Sequence, residues 1–459
     1  WVIEAYNRNL SFDQFTIEQL AGDLLENPTL DQLIATGFNR NHRYNSEAGL
    51  VPEEFLLENA VDRVDTTSTV WMGLTMGCAR CHDHKYDPFS TKEYYQLISM
   101  FDKITESGRA IKFGNSEPWI KAPTKEQASV LARFDERIDK AKRKRDRTSA
   151  NVSGNIASNL LGSKAASEAA FLTKGLTKRF SFDTDDPILE ASKGAVTSKL
   201  GLFEDSLFFD GENHLEFEDE TGFYCHERFS ISFWIKAEET SEGVILSKQL
   251  ENTRRPGLEV ELNGGKLRFS ILTRWVAGVG SVETLEDLPA GKWIHVTLTN
   301  DGTQRAKGMK IYLDGSVAIK RILHNTNSNV IGGIDKAPFR IGKGVVGEPF
   351  QGSLDELRIY DRTLFEDEIR ILAASESIQN IITCNNNGLG DNEKAKRNAY
   401  YFDSAAAEKV QKLDSEYHAL RLERLDFYDS LPTTMVMEEM ENPPLTRIRE
   451  RGVYHQYGD

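Results

Sequence analysis

Phe229-Ser-Ile-Ser-Phe-Trp-Ile235, Trp293-Ile-His-Val-Thr-Leu298 and Met309-Lys-Ile-Tyr-Leu-Asp-Gly315 are short, aromatic and β-branched. Their apolar residues recur with the period of two that sets one face of a strand. Leu207-Phe-Phe-Asp-Gly211 and Leu267-Arg-Phe-Ser-Ile-Leu272 have the same character. Asn263-Gly264-Gly265 and Asp314-Gly315 are hairpin tips, because such pairs accept the positive φ of a tight turn. Together they predict a sandwich of antiparallel strands over residues 177–373. Trp234 and Trp293 fall inside alternating patterns and belong to its core. Trp275 lies instead in the polar, Gly-flanked Thr273-Arg-Trp-Val-Ala-Gly-Val-Gly280, where an exposed aromatic would serve as a carbohydrate contact.

Outward from the sandwich the period changes. On its N-terminal side, Thr124-Lys-Glu-Gln127 is a capping box, followed by a narrow stripe of Val130, Phe134 and Ile138 on a charged helix ending near Arg147. On its C-terminal side, Val410, Leu413, Tyr417 and Leu420 have 3-then-4 spacing. The first helix is basic at its end and the second richer in acid, so the two are expected as an antiparallel coiled-coil pair bracketing an insertion, with a dimer seam as the alternative. Ser149–Ala166, rich in Ser, Asn, Gly and Ala, is the linker into that insertion. Upstream, residues 1–122 have helical spacing, with Pro52, Glu53 and Glu54 in the first turn of one helix and Ser90 or Thr91 capping another.

The fold class expected is therefore α+β multidomain. A helical domain spans 1–122, a coiled-coil helix 123–150, a linker 151–176, the β-sandwich 177–373, a second coiled-coil helix region 374–432, and the start of a further domain 433–459. Trp1 is not an initiator methionine, and the chain opens as if within a helix, which points to a piece of something longer. The net charge of −15 argues against a nucleic-acid partner. No run of 18 apolar residues is present, so nothing here is expected to span a membrane.

The chemistry is concentrated in Cys78-Ala-Arg-Cys81-His82-Asp83-His84-Lys85-Tyr86-Asp87-Pro88. Cys-x-x-Cys-His is the attachment signature of haem c: Cys78 and Cys81 would bond the porphyrin vinyls and His82 would ligate the iron. The alternatives are a zinc-type site using Cys78, Cys81, His82 and His84, or a disulfide. His42 is the candidate distal ligand, against a solvent-facing histidine, with Met72, Met76 and Met435 as further options. His84, Asp83 and Asp87 are second-shell candidates, Asp83 by orienting an imidazole. Glu47, Glu53 and Glu54 could pair as glycosidic acid and base, but the latter two suit a helix N-terminus by charge alone. Cys225 and Cys384 are isolated and read as inert thiols. A haem c address would be periplasmic or secreted.

Residues 177–373 resemble the laminin-G-like, concanavalin-A-type jelly roll. The motifs are Phe209-Asp-Gly211, Ser230-Ile-Ser-Phe-Trp-Ile235, Gly291-Lys-Trp-Ile-His-Val296, Ile311-Tyr-Leu-Asp-Gly315 and Gly352-Ser-Leu-Asp-Glu-Leu-Arg-Ile-Tyr-Asp-Arg-Thr-Leu364, in the expected order. The resemblance implies glycan or protein binding and a calcium ion at Asp183 and Asp355, whose other reading is turn capping. Residues 1–122 resemble the planctomycete cytochrome-c-like (PSCyt-type) secreted multidomain proteins. That likeness rests on Gln14–Leu25, Gly37-Phe-Asn-Arg40, Glu53-Glu-Phe55, Asp62-Arg-Val-Asp-Thr-Thr67 and Gly73–Pro88. The function expected is redox or haem-dependent chemistry at a polysaccharide, with a glycan-recognition sandwich and a redox partner protein. A metal- or carboxylate-dependent polysaccharide hydrolase and a non-catalytic adhesion or scaffold protein are the rivals.

Overall fold

The computed structural model describes all residues except 46–49, 109, 111–113, 153–171, 196, 239–241, 275–277, 326–333, 384–387, 441 and 459. The chain divides into two compact units, Trp1–Arg137 with Leu420–Asp459, and Ile138–Ala419.

The first unit is helical: α1 (Val2–Asn7), α2 (Phe12–Ala21), α3 (Leu30–Ala35), α4 (Pro52–Thr67) and α5 (Thr91–Ile98). Pro52 occupies the first turn of α4 with Glu53 and Glu54, and a Ser90–Glu93 capping box starts α5. Leu57, Ala60, Val61 and Val64 form a helical stripe on α4 that packs with Tyr94, Tyr95 and Ile98 of α5. Met76 and Ala79, from the turn that carries the cysteine pair, join the same core, as does Met437 from the C-terminal segment. β1 (Trp119–Lys121) pairs antiparallel with β18 (Thr433–Met435).

Two long helices, α6 (Lys125–Val152) and α10 (Glu408–Ser430), contribute to both units. Thr124 and Gln127 exchange the two bonds of a capping box at the start of α6. In the first unit Arg424 donates to Asp135 and Phe427 meets Phe134. In the second, Arg145 donates to Asp414 at 2.7 Å and lies over the Tyr417 ring. Partners ascend one helix as they descend the other, which is antiparallel pairing.

The second unit is a two-sheet sandwich. Its strands are β2 (Leu176–Phe180), β3 (Ser192–Lys193), β4 (Thr197–Leu200), β5 (Asp205–Asp210), β6 (His214–Phe217) and β7 (Arg228–Ala237). They continue as β8 (Gly243–Gln249), β9 (Gly257–Asn263), β10 (Lys266–Arg274), β11 (Gly278–Thr284) and β12 (Ile294–Asp301). The last are β13 (Met309–Leu313), β14 (Ser316–Val317), β15 (Lys320–Asn325), β16 (Phe339–Ile341) and β17 (Gln351–Tyr360). One sheet has the order β15-β11-β10-β9-β8-β16-β6-β3; the other runs β14-β13-β12-β7-β17-β5-β4, with β2 on β17. Asp314 and Gly315 both have positive φ (48° and 82°), the two-residue turn that the sequence signals between β13 and β14. Phe233, Ile231, Phe269, Val296, Ile311 and Phe339 are among the residues that fill the space between the sheets. Trp234, expected in this core, is buried on the other face, against His295.

A second apolar cluster lies on the outer side of the β7-centred sheet. Helices α7 (Glu366–Leu372), α8 (Ile378–Thr383) and α9 (Asp391–Tyr400) supply Ile369, Leu372, Ile378, Ile381 and Tyr400, which pack with Tyr312 and Tyr360 of the sheet. Ile311 and Ile359, one residue earlier, point into the sandwich, so the alternation of each strand supplies both cores. The stretch from 374 to about 405, expected as part of the second coiled-coil region, is therefore mostly a helical cap on the sheet. Many of its apolar residues are spent there, and α10 is the long helix that pairs with α6.

Candidate functional site

Cys78 stands on the 3-10 turn Gly77–Arg80 and Cys81 immediately follows it as its C-cap, with both thiols free and exposed. Only Ala79 of that turn is buried, and Arg80 is tied to Glu58 at 2.5 Å and to the Gly452 carbonyl at 2.9 Å. His82 is exposed, its Nδ1–H donating to the Asp83 carbonyl at 2.8 Å. The next residues fold into a self-contained loop. The His84 Nδ1 accepts the Asp87 backbone N–H at 2.9 Å, and the Asp83 carboxylate accepts the Thr91 N–H at 2.8 Å at the start of α5. His84, Asp83 and Asp87 thus shape the turn.

These surroundings do not fit a haem c. The thiols and His82 face solvent beside the exposed Asp83, Lys85 and Tyr86, whereas a porphyrin is held largely by burying its apolar faces. The expected distal ligand is also committed elsewhere. His42 is neither solvent-facing nor available: its side chain is buried, Nδ1 lies 3.0 Å from the Arg43 carbonyl, and Nε2 accepts from Arg63 at 2.9 Å.

His42 belongs to a buried ionic network that the sequence did not disclose. Glu106 accepts from both terminal nitrogens of Arg63 (2.8 and 2.9 Å) and from Arg40 at 3.0 Å. All of these side chains are at least nine-tenths buried. Burial pushes the Glu106 carboxyl up, but His42 and the two guanidinium groups outweigh it and hold it down at about 2. Arg40 also reaches the Glu117 carbonyl and Arg63 the Asn39 and Phe101 carbonyls, so the network ties three loops to α4. Its role is structural.

In the sandwich, Asp183 and Asp355 spend their oxygens on backbone. Asp183 accepts the Asp205 N–H at 3.2 Å, and Asp355 accepts those of Leu202 (2.8 Å) and Phe203 (3.4 Å). Burial pushes the Asp355 carboxyl up to about 7 despite those bonds. Among the described residues no group of three or more His, Cys, Asp or Glu is arranged to hold a metal ion, so the structure brings no calcium cage together at these two aspartates. Trp275, Glu47 and Cys384 lie outside the described residues.

The site that the sequence reading missed is on the other sheet. Leu258, Val260 and Leu262 of β9 point into the core, which turns Glu259 and Glu261 to the outer face. Register then aligns Glu216 with Arg340, Arg340 with Ser247, Ser247 with Glu259, Glu259 with Ser270, Ser270 with Ser281, and Ser281 with His324. This polar row crosses seven strands, roughly 29 Å at ~4.8 Å per strand. Beside it, Glu261, Arg268, Glu283 and Arg321 form a self-neutralising ladder: Arg268 reaches Glu261 at 2.8 Å and Glu283 at 2.7 Å, and Arg321 reaches Glu283 at 2.9 Å. The row itself is less complete. Arg340 pairs with Glu216 at 2.6 Å and the Ser270 and Ser281 hydroxyls are 2.8 Å apart, but Ser247 Oγ and Glu259 Oε2 are buried without a hydrogen-bond partner among the described residues. Burial, reinforced by the neighbouring Glu261 charge, pushes the Glu259 carboxyl up to about 7. Near neutral pH that group both donates and accepts, which suits a hydroxyl-rich ligand. The alternation Leu-Glu-Val-Glu-Leu over residues 258–262 was the available signal; the register that builds the row was not.

Residues 1–106 match the PSCyt2 family model, described as a protein of unknown function (DUF1549). Residues 209–370 match the model of the concanavalin A-like lectin/glucanases superfamily. The chain thus carries a PSCyt2 region followed by a concanavalin A-like domain. A search of curated proteins gives no match. Among solved structures, domain 4 of AbnA, a GH43 extracellular arabinanase from Geobacillus stearothermophilus in complex with arabinotriose, is 20% identical with a TM-score of 0.33, over 43% of this chain and 98% of that one. The binding domain of Paraclostridial Mosquitocidal Protein 1 is 17% identical with a TM-score of 0.32, over 44% and 53% of the two chains. The binding domain of botulinum neurotoxin DC, in complex with rat synaptotagmin II, is 15% identical with a TM-score of 0.33, over 44% and 52%. The matched region spans about half the length of these two toxin domains.

Proposed function

We propose that this protein binds polysaccharide outside the cytoplasm, and that the polar row on the β9-centred sheet is the contact surface. The observation that carries this is the pair of buried, unpartnered atoms, Ser247 Oγ and Glu259 Oε2, at the middle of the row. A buried polar group without a partner costs about 1–3 kcal/mol, and a ligand hydroxyl placed there would recover it. The match to a lectin and glucanase superfamily model supports the same reading. Trp275, which its polar, Gly-flanked sequence marks as a carbohydrate contact, would add a stacking contact. Haem-dependent redox chemistry forms no part of this reading.

The test is isothermal titration of the full chain with a panel of soluble neutral and acidic polysaccharides. One of them should bind, and Trp275→Ala and Glu259→Ala should each weaken it by roughly 1–3 kcal/mol. A blank panel would remove the glycan reading and leave a scaffold. Release of reducing ends by wild type, lost in Glu259→Gln, would convert the reading to a hydrolase using Glu259 and Glu261 as its two carboxyl groups.

A further inference from the structure

We infer that Cys78 and Cys81 form a thiol–disulfide exchange pair, a site independent of the glycan reading. Geometry comes first. The Cys81 N–H donates to the Cys78 carbonyl at 3.4 Å, closing a turn between the two residues. Such a turn holds its ends within about 7 Å, and a disulfide spans Cα atoms about 4.4–6.8 Å apart. The turn is anchored on both sides: the Ala79 N–H reaches the Met76 carbonyl at 2.8 Å, and Arg80 is held by Glu58 and Gly452. Closing the bond therefore requires side-chain rotation and no refolding.

The two thiols differ in their surroundings. The Cys81 S–H donates to the Arg451 carbonyl at 3.3 Å, while the Cys78 thiol is exposed with no partner among the described residues. Both thiols are exposed, and the bond that engages Cys81 favours Cys78 as the attacking sulfur and Cys81 as the resolving one. The step balances with a disulfide as the oxidant. The Cys78 thiolate attacks one sulfur of that disulfide, forming a mixed disulfide and expelling one thiol. Cys81 then attacks Cys78 Sγ, closing the internal S–S bond and expelling the second thiol. The two protein thiols are oxidised and the external disulfide is reduced to two thiols. Once the bond forms, Arg451, held at a left-handed φ of 49°, loses the donor to its carbonyl. Cys225 provides an internal contrast, since it is buried and burial pushes its thiol up to about 11.

The experiment uses the reduced full chain, oxidised glutathione as probe, and peptide-resolved mass spectrometry. Wild type should lose two hydrogens across Cys78–Cys81 and retain no glutathione there. Cys81→Ser should instead retain glutathione at Cys78, and Cys225 should remain unmodified in both. Glutathione on both Cys78 and Cys81 of wild type, without the internal bond, overturns the inference. So does a porphyrin covalently attached to these thiols in protein from its native source, and so does a Cys81→Ser variant that retains none. The wild-type mass shift stands even where a variant folds poorly, and circular dichroism of each variant distinguishes the cases.

Discussion

Replacing Glu106 with Gln should destabilise the helical unit by about 3–5 kcal/mol, the usual cost of leaving buried charges without their partner. The structure gives the same scale independently. The Glu106 carboxyl is held at about 2 against an ordinary 4.5, and that difference corresponds to about 3 kcal/mol of stability. Because the folded value is depressed, this contribution is fully present above pH 4.5 and is lost as the pH falls towards 2. Glu106→Gln should therefore lower the melting temperature of a unit this size by roughly 6–20 °C at pH 7. Scanning calorimetry, with hydrogen exchange at the α4 amides to identify the transition, reads it directly. At pH 2.5 the gap to wild type should have narrowed. Glu106→Gln combined with Arg40→Met should recover part of the loss, because one orphaned guanidinium is removed with its partner. A single variant melting within about 2 °C of wild type at pH 7 would refute the reasoning: the network would then be solvated.

Glu259→Gln should act in the opposite sense. The unfolded carboxyl ionises near 4.5 while the folded one keeps its proton until about 7, so wild type loses stability as pH rises between them. The variant should be roughly 1–3 kcal/mol more stable at pH 8 and indistinguishable at pH 4, by urea titration. His295 is fully buried, donates to or accepts from Ser232 at 2.9 Å, and is pushed down to about 3 by burial and by the Arg358 and Lys396 charges. Its contribution is complete above pH 6.5 and fades as the pH falls towards 3, so His295→Gln should flatten the acid limb of the sandwich's stability curve. A fragment cut at 177–373 should aggregate or melt early, whereas 172–410 should be soluble by gel filtration. The shorter piece leaves Tyr312 and Tyr360 without Ile378, Ile381 and Tyr400, side chains each worth about 1.5–3 kcal/mol when buried.

Strands were legible because a period of two leaves its mark within seven residues, as in Phe229–Ile235, and because Asp314-Gly315 can hardly be anything but a turn. The paired helices were legible for the same local reason. What escaped was everything set by distant partners. Glu106 lies in a loop with no pattern of its own, and its guanidinium partners come 66 and 43 residues earlier in the chain. Nor does any local feature say that Ser247 will stand opposite Glu259, since a one-residue slip would have sent either to the core. The helices between 374 and 405 were misjudged because short apolar runs such as Ile378-Gln-Asn-Ile-Ile382 do not announce what they cover. The Cys78–His82 motif is a converse case: five residues match a chemical signature, and the signature does not specify whether a cofactor has walls to lie against.

The cap formed by α7, α8 and α9 makes the sandwich one-sided, and this asymmetry should be visible in how the module tolerates change. On the β7-centred sheet, a residue nominally facing outward, such as Tyr360, is confined from both directions and can vary little more than the core itself. On the β9-centred sheet, the outward Ser270 and Ser281 are buried as well, but their hydroxyls meet each other within the layer. Variants selected for new ligand preferences should therefore accumulate on β8 to β11, with β12 and β17 held nearly constant behind them.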